Sequence, residues 1–326
     1  MRRLDPQHRD PRGMRPHGSA FPACDQMSTG KGRSLAIIAP WRSLRTTIVR
    51  NHEDIRQFFD ACAPCYAETH GSPARLLQQR LALIRQHACL QLTDAVLEIG
   101  CGHGSHLLGL ADAFGYGLGI DLSPAMIQVA HQRSATSLWR AKLHFRVDQG
   151  EHLHSVADAS MDVIFCVGAL DHVLDKARML AMVFRVLRPG GRFVCLTPNG
   201  HYLWYRWLAP WLGLETRHLS TDHFLSRHEL EQLLSEAGLR ILSLDYWTFI
   251  PRGNIPAPHG ALLHGLDRLG TMVASDLLRG GLVVCAEPRK SRRTTLRTPQ
   301  RISTASSSNN FWEHTHETNS DSRPPR

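Results

Sequence analysis

Three glycines at alternate positions, Gly100, Gly102 and Gly104, directly follow a short apolar run. Glycine lacks a Cβ atom, so such a segment can turn sharply and let a ligand approach the backbone closely. Two acidic residues accompany the glycines: Glu98 lies two residues before the first of them, and Asp121 ends the next apolar run. A carboxylate in the second position can accept hydrogen bonds from both hydroxyls of a ribose. These residue types predict a site for a ligand that contains a nucleoside.

The spacing of the glycines distinguishes between two kinds of nucleotide site. Dinucleotide-binding loops have two residues before the third glycine, whereas here position 105 is Ser. A carboxylate at Glu98 would repel a pyrophosphate but suits a cationic amino acid. We therefore predict S-adenosylmethionine, an unphosphorylated nucleoside with a charged amino acid tail. Two alternatives are an NAD-dependent oxidoreductase, which the absence of any Tyr-x-x-x-Lys pair disfavours, and a non-catalytic partner protein that binds the cofactor.

Short apolar runs alternate with helical segments through the middle of the chain. The predicted strands cover 95–99, 117–121, 143–147, 161–167, 192–197, 240–247 and 281–286, and the predicted helices cover 104–114, 124–133, 174–187 and 227–237. Ser123-Pro124 and the capping box from Ser226 to Glu229 are typical helix starts, and Gly238 is a typical helix end. Strands that alternate with helices predict an α/β fold, in which helices cover both faces of a parallel, doubly wound sheet.

The charge of the chain is concentrated near its ends. The 326 residues carry a formal net charge of +9, but residues 1–50 hold ten Lys or Arg and three Asp, and residues 289–326 hold eight basic and three acidic residues. The middle is slightly acidic, so no specific nucleic-acid enzyme is indicated. We expect disordered tails over 1–45 and 289–326 and one folded domain over 46–288. Because no secretory signal or membrane span is recognisable, the cytoplasm is the expected compartment.

The chain resembles the class I S-adenosylmethionine-dependent methyltransferases, in particular the small-molecule group that includes the ubiquinone and menaquinone methyltransferases. The resemblance covers about 50–286 and rests on five segments in order: Val96–Gly104, Gly119–Met126, Val147-Asp148, Leu187–Gly191 and Leu225–Gly238. It implies a Rossmann-like, seven-stranded sheet that is mostly parallel with an antiparallel last strand. It also implies an acceptor lid at about 199–224. The tryptophan-rich sequence of that segment favours a small, apolar or lipid-like acceptor, which we expect to be methylated on oxygen or carbon.

For the methionine end of the cofactor, the resemblance implies contacts from Glu98 and from the glycine loop, which comprises Gly100, Cys101, Gly102 and Gly104. A carboxylate suits the ammonium group of an amino acid, and glycines leave room for it. The resemblance therefore places the charged tail of the cofactor at the first turn of the sheet.

For the nucleoside end, the resemblance implies that Asp121 holds the ribose and that Leu122 packs against the adenine. Asp148 would accept a hydrogen bond from the adenine amino group, and Gln149 would supply a neighbouring contact where family members commonly have Ala. Tyr66 matches an aromatic residue that often closes over the cofactor.

A hydroxyl or carbon acceptor requires a general base. Asp171 and His172 follow the fourth predicted strand and are the first candidates, and His201 and Tyr202, which follow the fifth, come next. A structural or helix-capping role for His172 is the alternative.

No metal site is predicted. Cys62 and Cys65 form a C-x-x-C pair, but no second pair lies nearby in the sequence, and their spacing suits one face of a helix.

Trp204, Trp207 and Trp211 recur at the spacing of one helical face within the predicted lid. Three interpretations remain open: a packed core stripe, an apolar acceptor pocket, or a helix that contacts a membrane surface with its tryptophans at the level of the lipid headgroups.

Overall fold

A computed structural model describes residues 46–68, 73–211, 216–248, 257–273 and 275–289. The predicted tails therefore lie outside the described residues, apart from Arg289, and so do residues 212–215 of the predicted lid. The described residues form one seven-stranded sheet with helices on both of its faces.

The strands of this sheet are β1 (Ala95–Ile99), β2 (Tyr116–Asp121), β3 (Leu143–Val147), β4 (Met161–Val167), β5 (Leu187–Pro198), β6 (Leu239–Trp247) and β7 (Gly281–Pro288). Their order across the sheet is β3-β2-β1-β4-β5-β7-β6. The first five strands pair in parallel, whereas β7 is antiparallel to both β5 and β6. The predicted Rossmann-like sheet with its antiparallel last strand is confirmed.

The described helices are α1 (His52–Cys62), α2 (Pro73–Ala88), α3 (Ser105–Leu110), α4 (Pro124–Ala135), α5 (Lys176–Val186), α6 (Ala209–Trp211), α7 (Arg227–Glu236) and α8 (Ala257–Met272). The predicted caps are present. The Ser123 side chain accepts from the Met126 amide at the start of α4, and Ser226 and Glu229 form the capping box of α7. Gly238, with φ +80°, follows the end of α7.

Strand β5 is longer than predicted. The Pro189-Gly190-Gly191 segment, which precedes the predicted strand over 192–197, is a bulge within β5, because the pairing with β4 shifts between Met161↔Leu187 and Val163↔Arg192. A turn signal in the sequence can mark either the end of a strand or an irregularity inside it, and residues before and after this one both pair with β4.

Alternate residues of each strand supply two separate cores. Leu97 of β1 belongs to the core beneath α5 and α7, where it is buried with Leu180 and Leu234. Its neighbour Val96 faces the opposite core, which includes Ile84 of α2. Burial on both faces of the sheet leaves its carboxyl edge as the place where strand ends can present polar groups to a ligand.

Candidate active site

The carboxyl ends of β1, β2 and β4 open into a cavity of about 290 Å³. Its wall includes glycine and polar residues, among them Arg80, Gly100, Gly102, His106, Asp121, Asp148, Gln149 and His172. Its apolar lining includes Ile55, Phe59, Leu76, Leu77 and Leu122. Open α/β sheets bind ligands at this edge, so the cavity is the candidate active site.

The three glycines of the loop adopt positive φ angles, which are +70° at Gly100, +50° at Gly102 and +74° at Gly104. At Gly100 a Cβ atom would lie 2.4 Å from the Cβ atom of Ala169, so this position also requires glycine for packing. At Gly102 no atom lies within 4 Å of the Cβ position, and the residue lines the cavity. The loop therefore leaves open space beside its backbone.

Asp121 connects this loop to the start of α4. Its Oδ2 accepts the Gly102 amide at 2.8 Å, and its Oδ1 accepts the Ser123 amide at 2.9 Å. Burial raises the pKa of Asp121, although these two backbone hydrogen bonds oppose the shift. The carboxylate lines the cavity, and each of its oxygens can accept a further hydrogen bond there.

The side chain of Cys101 is buried in the second core, although the residue borders the cavity. Its amide donates to the Ile120 carbonyl at 2.9 Å, and its Sγ atom lies 2.9 Å from where a Cβ atom at Gly119 would be. What Cys101 offers to the cavity is thus its backbone rather than its thiol.

Glu98 lies behind the cavity wall. Its side chain is completely buried, its Oε1 atom is 2.7 Å from His106 Nδ1, and its Oε2 atom is buried without a hydrogen-bond partner among the described residues. Burial raises the pKa of Glu98 well above its usual range, and burial lowers that of His106, which does line the cavity, to about 3. Glu98 therefore does not line the cavity itself. It contacts His106, a neutral histidine that lines the cavity and that the sequence analysis did not identify.

Arg80 is a second group that the sequence analysis did not identify. It lies on α2 and lines the cavity, and its Nε atom is buried without a hydrogen-bond partner among the described residues. Its Nη2 atom is 3.3 Å from the position that a Cβ atom would take at Gly168, directly after β4. Burial lowers the pKa of Arg80, whereas Tyr66, Asp171 and Glu98 oppose that shift. A buried guanidinium of this kind suits an anionic ligand group.

Asp148 and Gln149 line the cavity beyond β3. The Asp148 carboxylate accepts the Gln149 amide at 2.8 Å and both the amide and the hydroxyl of Ser155, at 2.8 and 2.6 Å. These bonds fix the loop after β3. Leu122 packs with Ile55 of α1, so α1 closes the cavity at this end.

Tyr66 follows α1 and lines the cavity. Its ring centroid is 6.5 Å from that of Phe59 and 5.5 Å from that of His103. Burial raises the pKa of Tyr66 to about 12, so this residue presents a neutral phenol.

The structure separates the candidate bases. His172 lines the cavity, whereas the buried Asp171 lies beside it, with its Oδ2 atom 3.6 Å from His172 Nε2. His201 pairs with Asp276 at 3.2 Å, and Tyr202 is buried in an aromatic cluster; neither lines the cavity. His172 is therefore the candidate whose side chain a ligand can reach.

The three tryptophans do not share one environment. A π-helix over Trp204–Leu208 changes the expected spacing, so Trp204 is buried whereas Trp207 and Trp211 are 51% and 81% exposed. None of the three lines the cavity. No helix in the described part of the chain is long and apolar enough to cross a membrane.

No cluster of three or more metal-ligating side chains occurs among the described residues. Cys62 ends α1 and is partly buried, and the side chain of Cys65 lies outside the description.

A family model described as a methyltransferase domain matches residues 67–244, which is more than half of the chain. The chain belongs to this methyltransferase family. It is therefore an S-adenosyl-L-methionine-dependent methyltransferase, as the resemblance in sequence implied, and the family match favours methyl transfer over the two alternatives.

Relatives and solved structures agree with this membership. The demethylmenaquinone methyltransferase of Lactiplantibacillus plantarum is 26% identical over 222 residues, which cover 60% of this chain and 92% of the relative. The ubiquinone biosynthesis O-methyltransferase of Hydrogenovibrio crunogenus is 26% identical over 175 residues, which cover 52% and 71%. The geranyl diphosphate C-methyltransferase of Streptomyces coelicolor shares the fold, with a TM-score of 0.51 at 16% identity over 65% of this chain and 79% of that one.

Three residues of this methyltransferase line the cavity although they belong to no recognisable sequence motif: Phe59, Arg80 and His106. Each lies on a helix, and a helical pattern indicates which side is apolar but not which polar residue enters a site. The packing of α1 and α2 over the edge of the sheet depends on long-range contacts, which the local sequence around each residue does not predict.

Proposed function

We propose that this methyltransferase acts on a small, apolar, ring-bearing acceptor and methylates a hydroxyl oxygen or an acidic carbon, with His172 as general base. The observation that carries the proposal is that one cavity joins the glycine loop and Asp121 to His172 and a lining of aromatic and aliphatic side chains.

The cavity fits the tail of S-adenosyl-L-methionine. Arg80 offers a buried guanidinium with an unpartnered Nε atom, which suits a carboxylate. The open space beside Gly102 suits a ligand that approaches the backbone. We assign Glu98 a supporting role, since it holds His106 at the wall of the cavity. When bound, the cofactor supplies an electrophilic methyl group on its sulfonium.

The nucleoside end is assigned to the residues that the sequence predicted. Asp121 retains acceptor capacity for ribose hydroxyls, and Leu122 offers an apolar surface for the adenine. Asp148 and Gln149 stand at the far end, where the bonds from Ser155 hold the Asp148 carboxylate in place. Tyr66 covers the cavity together with Phe59.

We assign the acceptor to apolar side chains that line the same cavity. Phe59, Tyr66, Leu76 and Leu77 line it, and a planar ring can pack against these side chains. An aliphatic polar acceptor would leave this lining without contacts. The character of the wall therefore supports an aromatic or quinol-like molecule, and the quinone-pathway names of two relatives agree with it.

His172 is suited to take a proton from such an acceptor. Burial alone would lower its pKa, but the Asp171 carboxylate and the hydrogen bond to Asp222 outweigh burial and raise the pKa to about 9. A base of this strength matches a weakly acidic phenol. Because the imidazole must be neutral to accept the proton, its active fraction grows as the pH rises toward 9.

Arg80→Ala should weaken binding of S-adenosyl-L-homocysteine by about 10- to 100-fold, because a charged hydrogen bond to the carboxylate is lost. Decarboxylated S-adenosylmethionine should bind the variant and the wild type equally. Arg85→Ala is the matched control, since Arg85 lies on the same helix and pairs with Asp112 at the surface. Calorimetry measures the affinity of each ligand for the wild type and for the two variants. An equal loss for both ligands would contradict the assignment of Arg80 to the carboxylate.

The full chain, incubated with methyl-labelled S-adenosylmethionine, should label phenols or quinols in preference to aliphatic alcohols, at a rate that rises with pH toward 9. His172→Ala should slow transfer by about 10²- to 10⁴-fold without changing cofactor affinity. His201→Ala, outside the cavity, should retain the wild-type rate. An unchanged rate in His172→Ala would remove that residue from the mechanism, and labelling of aliphatic alcohols alone would contradict the acceptor class.

We also propose that Trp207 and Trp211 contact a membrane surface, from which an apolar acceptor would be drawn. Both indoles are exposed, and the Arg206 guanidinium lies 5.4 Å from the Trp207 ring centroid. Exposed indoles beside a cation suit the headgroup region of an anionic bilayer. Their exposure supports this interpretation over the packed core stripe, which holds for Trp204 alone.

Changing both Trp207 and Trp211 to Ser should reduce co-sedimentation of the full chain with phosphatidylglycerol vesicles, because the apolar contact is lost. Trp139→Ser serves as the control, since Trp139 is 42% exposed elsewhere on the protein. If the double variant sediments as completely as the wild type, these tryptophans are not the contact surface.

A further inference from the structure

Beyond the cavity wall, Asp222 forms the shortest hydrogen bond to His172. Its Oδ1 atom is 2.7 Å from His172 Nδ1, and its side chain is completely buried. The two residues are 50 positions apart, and nothing in the sequence links them. Asp222 does not line the cavity, so its effect on a ligand must pass through the histidine.

The remaining contacts of Asp222 indicate which atom, Asp222 Oδ1 or His172 Nδ1, carries the proton of their hydrogen bond. Its Oδ2 atom accepts the amides of His218 at 2.8 Å and of Leu219 at 2.9 Å. Burial alone would raise the pKa of Asp222, but the hydrogen bond and charge of His172 and the Leu219 amide lower it. An ionised carboxylate only accepts hydrogen bonds, so His172 Nδ1 is the donor.

The opposite nitrogen of His172 is left available. Nε2 makes no hydrogen bond to any described residue, because the nearest carboxylate oxygen, Asp171 Oδ2, is 3.6 Å away. With the proton on Nδ1, a neutral imidazole has its lone pair on Nε2. The arrangement is that of a carboxylate–histidine dyad, in which the carboxylate fixes the tautomer and the ring orientation.

The loop that carries Asp222 is held in place from two sides. The Ser220 amide donates to the Thr47 carbonyl at 2.8 Å, and the Thr47 amide donates to the His218 carbonyl at 2.9 Å. The His223 amide donates to the Asp171 carbonyl at 3.1 Å. Asp222 is therefore fixed against both the segment before α1 and the turn that carries His172.

We propose that Asp222 is the positioning residue of this methyltransferase, holding His172 in the Nδ1–H tautomer so that Nε2 accepts the proton of the acceptor. This inference rests on the proposed role of His172. In the step, the acceptor O–H bond breaks, its proton passes to Nε2, and its electron pair remains on oxygen to form the new bond to the methyl carbon. The methyl–sulfur bond of the sulfonium breaks at the same time, and its electron pair stays on sulfur. Asp222 stays ionised throughout, and the proton later leaves His172 to solvent.

Several other groups surround the ring and would affect its titration. Asp171 and Lys176 come from the turn after β4 and from α5, His218 comes from the Asp222 loop, and Asp121 comes from β2. Asp171 raises the pKa of His172 by charge without forming a hydrogen bond, whereas Asp222 does both. This difference separates positioning from simple electrostatics in a test.

The test is ¹⁵N NMR of the histidine-labelled full chain saturated with S-adenosyl-L-homocysteine, with His172 assigned by a His172→Gln sample. At a pH where the imidazole is neutral, wild type should show protonated Nδ1 and free Nε2. In Asp222→Asn the tautomer should switch, because the amide oxygen keeps the two backbone donors and the amide nitrogen then faces Nδ1. The pKa of His172 should also fall by about one to two pH units.

Asp171→Asn is the matched control, since it removes one negative charge beside the same ring. Its His172 should titrate at lower pH but keep the Nδ1–H tautomer. An Nε2–H tautomer in the wild type, or an unchanged tautomer in Asp222→Asn, would overturn the proposal. The wild-type spectrum decides the matter if Asp222→Asn fails to fold. Failure of the wild type to bind S-adenosyl-L-homocysteine would instead contradict the cofactor site.

Discussion

At the carboxyl edge of the sheet, the Asp121 carboxylate ties the Gly102 amide to the start of α4. The glycines of this loop adopt three positive φ angles, and the carboxylate at the end of the neighbouring strand fixes the amide of the middle one. The same carboxylate faces the cavity. One side chain thus holds the glycine loop against the start of α4 and also faces the site that we propose for the cofactor.

The ionisable groups of this site are arranged in layers. Arg80 and Asp121 lie on the wall, whereas Glu98, Asp171 and Asp222 are buried behind it. Burying a charge is costly unless it is paired, so the hidden carboxylates act on the cavity through histidines that they hold. Glu98 contacts His106, and Asp222 contacts His172. Each of the two imidazoles that line the cavity is therefore held by an acid that does not line it.

The sequence predicted the sheet, its order of elements and the loop well, because each depends on local signals such as the apolar runs around Gly100 and the cap at Ser123. It predicted Glu98 as a direct ligand contact, whereas the side chain lies behind His106, since a position on a strand does not tell how deep its carboxylate will lie. It gave no signal for Arg80 or Asp222, because α2 and the loop around Asp222 reach the site only through tertiary packing. The tryptophans failed to share a face because the segment is π-helical, which residue spacing alone does not reveal.

The most direct test of the account is the affinity of S-adenosyl-L-homocysteine for Asp121→Ala, measured by calorimetry beside Asp158→Ala. Asp158 is an exposed carboxylate that pairs with Arg185 and does not line the cavity. The account predicts a loss of about 100-fold or more for Asp121→Ala, since the ribose contacts and the support of the loop disappear together, and wild-type affinity for Asp158→Ala. Wild-type affinity in a folded Asp121→Ala variant would contradict the placement of the cofactor in this cavity.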